Sequence, residues 1–568
     1  MSSPLFPEPP PSIPATSLPD CDAAVDKLYA ARGRWVRTSI AERILLLKRC
    51  LDGMAEVCEA WVRDACRAKG HAPGSHGEGE EWLGGPMPTI RNIRMLVEAL
   101  EAGGAPKPVS GRARPDGRYV AQVFPSNIFE RIMFAGVTAE VWIEPGKPAT
   151  QGRVYREHAA GRFGDGAVAL VLAAGNQASI GPMDLLYKLF VDDEVVVLKM
   201  NPVNEYVGPH VARAFRALVE RDLVHVVYGG AEVGQHLCRH DKVHSIHITG
   251  SEKTHDAIIW GPPEEHVERK RTGRRANEKP ITSELGSVSP LIVVPGPWSD
   301  ADLAFQARHT ASMVAHNGSF NCNALKVLVL PKRWPLRERF LTAVRDTLTR
   351  TAPRKAYYPG AQQRYEGFLQ HYPDAQKLGD RSAEVVPWTL ITNVRPEKGE
   401  YALTNEAFCG VLAVTELDGA DAPTFLTNAV TFCNETVWGS LSCMMLVHPS
   451  TEKVHKREVD QAIGDLRFGG IGINCWSGLV YGLVGTTWGA HPGHTIEDVR
   501  SGIGVVHNTY LFDHPQKSIV RAPFRINPTP AWFADHKNLA KLGRMVAHFE
   551  LAPGWGRLPA AAIAGLRG

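Results

Sequence analysis

Cys322 closes the stretch Asn317-Gly318-Ser319-Phe320-Asn321-Cys322, downstream of a Ser283-Glu284-Leu285-Gly286 segment. A thiol is a poor nucleophile until deprotonated, and at an ordinary pKa of ~8.5 only a few per cent is thiolate near neutrality. A carboxylate such as Glu284, held where two halves of a chain meet, is a candidate general base for it. Asn176 ends the apolar run 167–173, and its side-chain amide can donate to a developing oxyanion. Thr249-Gly250-Ser251 ends another apolar run with a turn small enough to approach a phosphate at a helix start. Alone, each has a plainer reading: a cysteine as a small core hydrophobe, a glutamate as solvated surface, Gly175-Asn176 as a turn. As an ordered set, a thiol, a carboxylate, an amide and a phosphate-sized turn suit covalent redox chemistry on a carbonyl.

Such a set needs a frame, and the chain is long enough to supply one. Its 568 residues exceed one core, so two or three domains are expected. Hydrophobic residues at 44% and charged ones at 22% are ordinary for a soluble globular protein. A net charge of +3 gives no reason to expect nucleic acid as a partner. The ten cysteines are scattered without a CxxC pair, which fits reduced thiols and a cytoplasmic location. No apolar run reaches the ~18–20 residues of a membrane span, and the start of the chain lacks an apolar signal core. Residues 1–20, rich in Pro and Ser, read as a disordered lead-in. His236, His240, His244 and His247 lack a cysteine or carboxylate set to complete a metal site, and no metal is expected.

The elements follow from periodicity. Helical spacing runs from about Cys21 to Gly70. From about Ala121 to Arg156, Val, Ile, Tyr and Trp with turn residues at Glu144-Pro145-Gly146 predict a projecting β-hairpin. Apolar runs at 167–173, 195–198, 223–228 and 243–249 alternate with helical patterns, including one over 205–220, and predict a parallel sheet covered on both faces. Asn176, Lys199 and Gly250-Ser251 fall at the carboxyl ends of these strands, where such sheets bind ligands. A second α/β series begins at Pro290, with a helix over 302–316 and strands at 326–330, 411–417 and 443–447. Gly161 to Gly166 spells a glycine-rich string, but it precedes a strand instead of following one and reads as a turn. The tail beyond Asn508 gives no clear pattern.

The order Asn176, Lys199, Thr249-Gly250-Ser251, Glu284-Leu285-Gly286, Cys322 and Glu406-Ala407-Phe408 resembles the aldehyde dehydrogenase superfamily over roughly residues 25–510. Residues 231–251, 283–294, 405–414, 435–449 and 469–475 each resemble a segment of that family. The resemblance implies an α/β fold: a Rossmann-like NAD(P)-binding domain from 21–138 and 160–284, an oligomerisation hairpin at 139–159, a catalytic domain at 285–510, and a tail from 511 to 568. It further implies that Cys322 attacks an aldehyde and passes through a thiohemiacetal to a thioester, with Asn176 and the Cys322 N–H holding the oxyanion. Glu284 would activate the hydrolytic water. For the cofactor, NAD or NADP, it places Lys199 at the adenosine ribose, Gly250 and Ser251 at the pyrophosphate, Glu406 at the nicotinamide ribose, and Leu285 and Phe408 nearby. Acceptance of NADP is expected, because no acid follows Lys199 until Glu205. The implied partners are a small aldehyde and further copies of the chain, as a homodimer or homotetramer.

The chain departs from the family pattern at several points. The family's Pro-Trp-Asn-Phe-Pro is here Ala174-Gly175-Asn176-Gln177-Ala178. The Gly-Gln before the cysteine is Ser319-Phe320, a bulkier approach to the thiol. Gly-Lys after Glu-Leu-Gly is Ser287-Val288, and residues 478–504 lack the family's glycine-rich ending. Two other functions stay open on the same residues: transfer of the acyl group to coenzyme A or operation as an acyl reductase, and an inactive homologue serving as a scaffold. The basic run from Arg269 to Arg275 reads as a solvated loop, or more sharply as a landing site for an anionic group.

Overall fold

The computed structural model describes residues 6–379, 382 and 384–568. Ser110–Ala113 (β1), Tyr119–Phe124 (β2) and Thr138–Ile143 (β3) form an antiparallel unit. Ala167–Leu172 (β4), Glu194–Lys199 (β5), Val224–Val227 (β6), Ser245–Gly250 (β7) and Ile281–Leu285 (β8) come next. The second series is Ser289–Val293 (β9), Leu325–Pro331 (β10), Gln376–Leu378 (β11), Trp388–Val394 (β12), Val411–Leu417 (β13), Ser442–Leu446 (β14) and Gly470–Ile473 (β15). Four late strands are Trp488–Gly489 (β16), Gly502–Ile503 (β17), Val505–Val506 (β18) and Pro515–Arg521 (β19).

Two sheets carry the molecule. The first has the order β17-β8-β7-β4-β5-β6, parallel throughout except for β17. Consecutive residues of β4 and β5 are buried, so helices must cover both faces, and this is why these strands read as unbroken apolar runs. The helices Leu18–Val36, Ile180–Phe190 and Ala231–Arg239 pack on this sheet. The second sheet has eleven strands in the order β1-β2-β3-β19-β15-β14-β9-β10-β13-β12-β11.

Several expectations are corrected. The hairpin predicted over 139–159 does not form there: β3 ends at Ile143, and Arg153–Ala159 is a helix whose Tyr155 is buried under it. The antiparallel strands are instead β1 to β3, at one edge of the eleven-stranded sheet. The helix expected over 205–220 breaks into three pieces, Glu205–Val207, Gly208–Ala214 and Arg216–Val219. Of the lead-in predicted as disordered, residues 1–5 lie outside the described residues. The rest stays largely exposed but is anchored at its end: Thr16 N–H donates to the Tyr228 carbonyl at 3.1 Å, and Ser17 caps the first helix. The tail supplies β19 and the helices Leu539–Leu551 and Leu558–Leu566. Buried Arg91 ties the first of these helices down, pairing with Glu550 at 2.9 Å and Glu130 at 2.5 Å.

The basic run folds as a short helix whose cations already have carboxylate neighbours. Arg269 pairs with Glu265 at 2.6 Å, Lys270 with Asp256 at 2.8 Å and Arg271 with Glu268 at 2.9 Å. Charge balanced this way favours the solvated-surface reading over an anion landing site. His236 and His240 both face Asp22, and no cluster of three metal-ligating side chains occurs among the described residues. Also among them, no helix is long and apolar enough to cross a membrane.

Candidate active site

Nine of the ten cysteines are buried; Cys322 alone is partly exposed. It lies between the helix Asp300–Ala315 and β10, on a loop that no regular element could shape. The chain leaves the helix at His316 and takes three successive left-handed conformations, at Asn317 (φ 53°), Gly318 (φ 65°) and Ser319 (φ 69°). For the two residues with a side chain this costs about 1–2 kcal/mol each, so something must enforce it.

The enforcement is a buried polar network. The Asn317 N–H donates to Glu80 Oε2 at 3.2 Å, and its Nδ2 donates to the carbonyls of Asn176 (3.1 Å) and Phe320 (3.2 Å). Its Oδ1 accepts from Lys69 Nζ at 3.2 Å and from the Tyr357 hydroxyl at 3.1 Å. Lys69, with its side chain only 1% exposed, also donates to Glu81 at 2.8 Å and to the Asn176 carbonyl at 2.9 Å. Arg354 grips Glu80 at 2.8 Å, and burial alone would protonate that acid; Arg354, His316 and His76 together hold its carboxyl well below the usual range. On the far side Lys326, in β10, donates to the carbonyls of Asn321 (2.9 Å), Cys322 (3.2 Å) and Ala324 (3.3 Å).

One prediction arises here. Lys69→Met removes the cation from a buried pair and strands Glu81, a change that costs about 3–5 kcal/mol. We expect a lower thermal midpoint together with altered Cys322 alkylation kinetics, because the same ammonium supports Asn317. An unchanged midpoint and unchanged alkylation would refute the network's role.

Glu284 is the penultimate residue of β8, opposite Thr249 on β7 and Gly502 on β17. Only 3% exposed, its carboxyl faces the Cys322 thiol and the Trp488 indole. Burial, reinforced by the nearby Asp184 carboxylate, pushes it up to about 8. Asp184 is itself fixed by Thr249, whose hydroxyl donates to it at 2.8 Å. Burial and the adjoining Glu284 and Glu406 push the Cys322 thiol well up. At rest the pair therefore favours the neutral thiol, and a base beside the sulfur is a requirement instead of an ornament.

The other expected site residues are placed as follows. The Asn176 Nδ2 donates to the Phe320 carbonyl at 3.0 Å, which sets the amide against the nucleophile loop and leaves its second hydrogen for another acceptor. Phe320 does not crowd the thiol as its bulk predicts: it joins the rings of Tyr357 at 4.9 Å, Tyr358 at 6.0 Å and Phe408 at 6.0 Å. Glu406 pairs with Lys326 at 3.2 Å and reaches over Gly286, where a Cβ would overlap the carboxylate. Gly286 is therefore set by this approach. Lys199 and Gly250 stand at the carboxyl ends of β5 and β7. Leu285 is buried, its N–H held by the Ser501 carbonyl at 2.9 Å. Ser251 caps the helix Glu252–Trp260, its hydroxyl accepting from the Thr254 N–H at 3.2 Å. His491 and His494 gather at Ser440, with the His494 ring 2.5 Å from its hydroxyl.

Residues the sequence reading missed are Lys69, Glu80, Asp184, Lys326, Tyr481 and Trp488. Lys326 left a trace, as a cation inside the otherwise apolar run of β10. Tyr481 and Trp488 left none, lying in the divergent segment. Tyr481 bonds Ser179 through its hydroxyl at 2.7 Å and packs beside Cys322 at one apolar cluster.

Residues 191–483 match the model of the aldehyde dehydrogenase family, and the chain belongs to that family. A curated relative, 4-trimethylaminobutyraldehyde dehydrogenase of Bos taurus, is 36% identical over 109 residues, which is 19% of each chain. The Homo sapiens enzyme of that name is likewise 36% identical over 109 residues. These matches span about a fifth of the relatives' length. Among solved structures, a Mycobacterium tuberculosis aldehyde dehydrogenase complexed with NAD+ superposes with a TM-score of 0.60 at 17% identity, over 91% of this chain and 92% of that one. An NADP-dependent glyceraldehyde-3-phosphate dehydrogenase from Bacillus halodurans, complexed with NADP, gives 0.57 at 16% identity, over 89% and 92%. Similarity at this level establishes the shared α/β fold.

Proposed function

We propose that the protein oxidises an aldehyde to a carboxylic acid through Cys322, with NAD or NADP as the oxidant. The single observation that carries this reading is the one accessible thiol of the chain facing a buried carboxyl at the junction of two α/β units. Glu284 takes the thiol proton as the sulfur attacks the aldehyde carbon. The Cys322 N–H and the second Asn176 amide hydrogen are the donors for the resulting oxyanion. Collapse of that thiohemiacetal expels a hydride, and the acyl group stays on sulfur as a thioester. Once Glu284 has released the thiol's proton to solvent, it deprotonates a water that attacks the acyl carbon; the C–S bond breaks, the sulfur regains a proton from Glu284, and the acid leaves.

The chain's own residues suit a nicotinamide coenzyme, which when bound supplies the hydride acceptor. Lys199 is an ammonium 8% exposed with no hydrogen bond or ion pair among the described residues, as a cation awaiting an anionic or hydroxyl ligand would be. Gly250 is exposed at its strand end. Glu406 stands between Lys326 and Gly286, beside the thiol, and would hold the nicotinamide ribose on exchanging its Lys326 contact.

The test is NAD(P)H formation by purified protein over an aldehyde panel, with and without coenzyme A. We expect oxidation with free acid as product, and NADP accepted at least comparably with NAD. Acyl-CoA as product would favour the acyl-transfer alternative, and no turnover with any aldehyde would favour the scaffold. NAD preferred by on the order of a hundredfold in kcat/KM, about 2.7 kcal/mol, would refute the coenzyme expectation.

A further inference from the structure

The segment leading into the first helix lies against the strand ends that the proposed coenzyme would meet. Thr16 locks it in place, its N–H donating to the Tyr228 carbonyl at 3.1 Å and its hydroxyl accepting from the Tyr228 N–H at 2.9 Å. Ala15 rests against Gly229, just past β6, where an added Cβ would meet it at 3.4 Å. Two residues before Ala15, the Ile13 N–H donates to Glu205 Oε1 at 2.8 Å. Glu205 is the first acid after Lys199 in the chain and acts electrostatically on both the Lys199 ammonium and the Tyr228 phenol.

These contacts settle how charge is arranged in that corner. A carboxylate free to turn toward a ribose accepts its two hydroxyls and repels a 2′-phosphate. A carboxylate fixed by a backbone N–H is oriented and partly neutralised, and it exerts less of either effect. Lys199 feels that carboxylate electrostatically but makes no salt bridge with it among the described residues.

We propose that residues 13–16 select the coenzyme: by engaging Glu205 through the Ile13 N–H, they weaken its opposition to Lys199 and favour a ribose that carries a 2′-phosphate. This rests on the oxidation reading above. A segment outside both sheets, acting through one hydrogen bond, thereby sets the choice between two dinucleotides.

The experiment is equilibrium binding of NADP and NAD to the full chain by intrinsic fluorescence, which needs no turnover. Ile13→Pro deletes the donor in a stretch already rich in proline and leaves the acid in place. It should weaken NADP relative to NAD by about tenfold, the scale of a like-charge contact in a partly solvated pocket. Glu205→Gln should keep the parent's preference for the phosphorylated coenzyme. In the double variant Ile13→Pro should no longer shift the ratio, since an amide cannot repel phosphate. An unchanged ratio in Ile13→Pro overturns the proposal. So does an equal shift in the Glu205→Gln background, or a matching rise in affinity for both coenzymes, which would make the segment a plug. If the parent chain binds neither dinucleotide, the oxidation reading itself fails; if it binds both with a ratio blind to Ile13, only the selector fails.

Discussion

Cys322→Ala should abolish aldehyde oxidation while leaving dinucleotide binding and thermal stability near those of the parent. No thioester can form without the sulfur, and the side chain is only partly buried, so its loss opens little cavity. The remaining nine cysteines are buried, and burial pushes Cys50, Cys238, Cys409 and Cys475 up as thiols, so they are poor substitutes. Iodoacetamide should accordingly label one site in the native parent and none in the variant. Turnover retained in Cys322→Ala, or label on Cys409 instead, would remove Cys322 from the mechanism.

Glu284→Gln separates the two halves of the reaction. Hydride transfer precedes the step that needs a water-activating base, so a burst of about one NAD(P)H per site should persist in amplitude, while its rise should slow because the thiol loses its neighbouring base. Steady-state turnover should fall by roughly 10² to 10⁴, the range a positioned base supplies. The pH profile carries the sign: with the carboxyl at about 8, the parent should gain activity as pH rises toward that value and then level off. The amide variant should lack that limb. Linkage works the other way on stability. A carboxyl moved from its ordinary 4.5 to about 8 makes the folded state the tighter proton binder. Its contribution is full below 4.5 and is lost as pH rises through 8, so the parent should lose stability across that window more steeply than Glu284→Gln. Unaltered turnover in the variant would show that Glu284 is not the base.

How much of this could be read from the residues depended on what hid each feature. Strands β4, β5 and β7 lay within two residues of expectation, because a strand covered on both faces spells itself as an apolar run. The strand β19 escaped for the opposite reason. Its Gln516, Lys517 and Ser518 look like surface and are buried. Lys517 tolerates this by donating to the carbonyls of Ile463, Gly464 and Leu466, at 2.8 to 2.9 Å. Of the candidate site, Cys322, Glu284, Asn176 and Glu406 were legible from family order, and the structure brings them to one place. Lys69 was not. Its partners Asn176 and Asn317 lie 107 and 248 positions away, and only folding reveals that a helix near the start steadies the nucleophile's loop.

The position of β19 has a consequence for how the chain acquires its shape. Strands β1 to β3 reach the rest of their sheet through this one strand, which pairs with β3 on one side and β15 on the other. A ribosome must therefore translate past residue 521 before the unit spanning 110–143 can dock. Until then both β3 and β15 present open edges, the kind of surface on which nascent chains pair with one another. Contacts of such long sequence separation also slow the final closure. Late docking makes β19, within the last tenth of the chain, a keystone, and lesions there should show up as poor soluble yield long before they register as an altered active site.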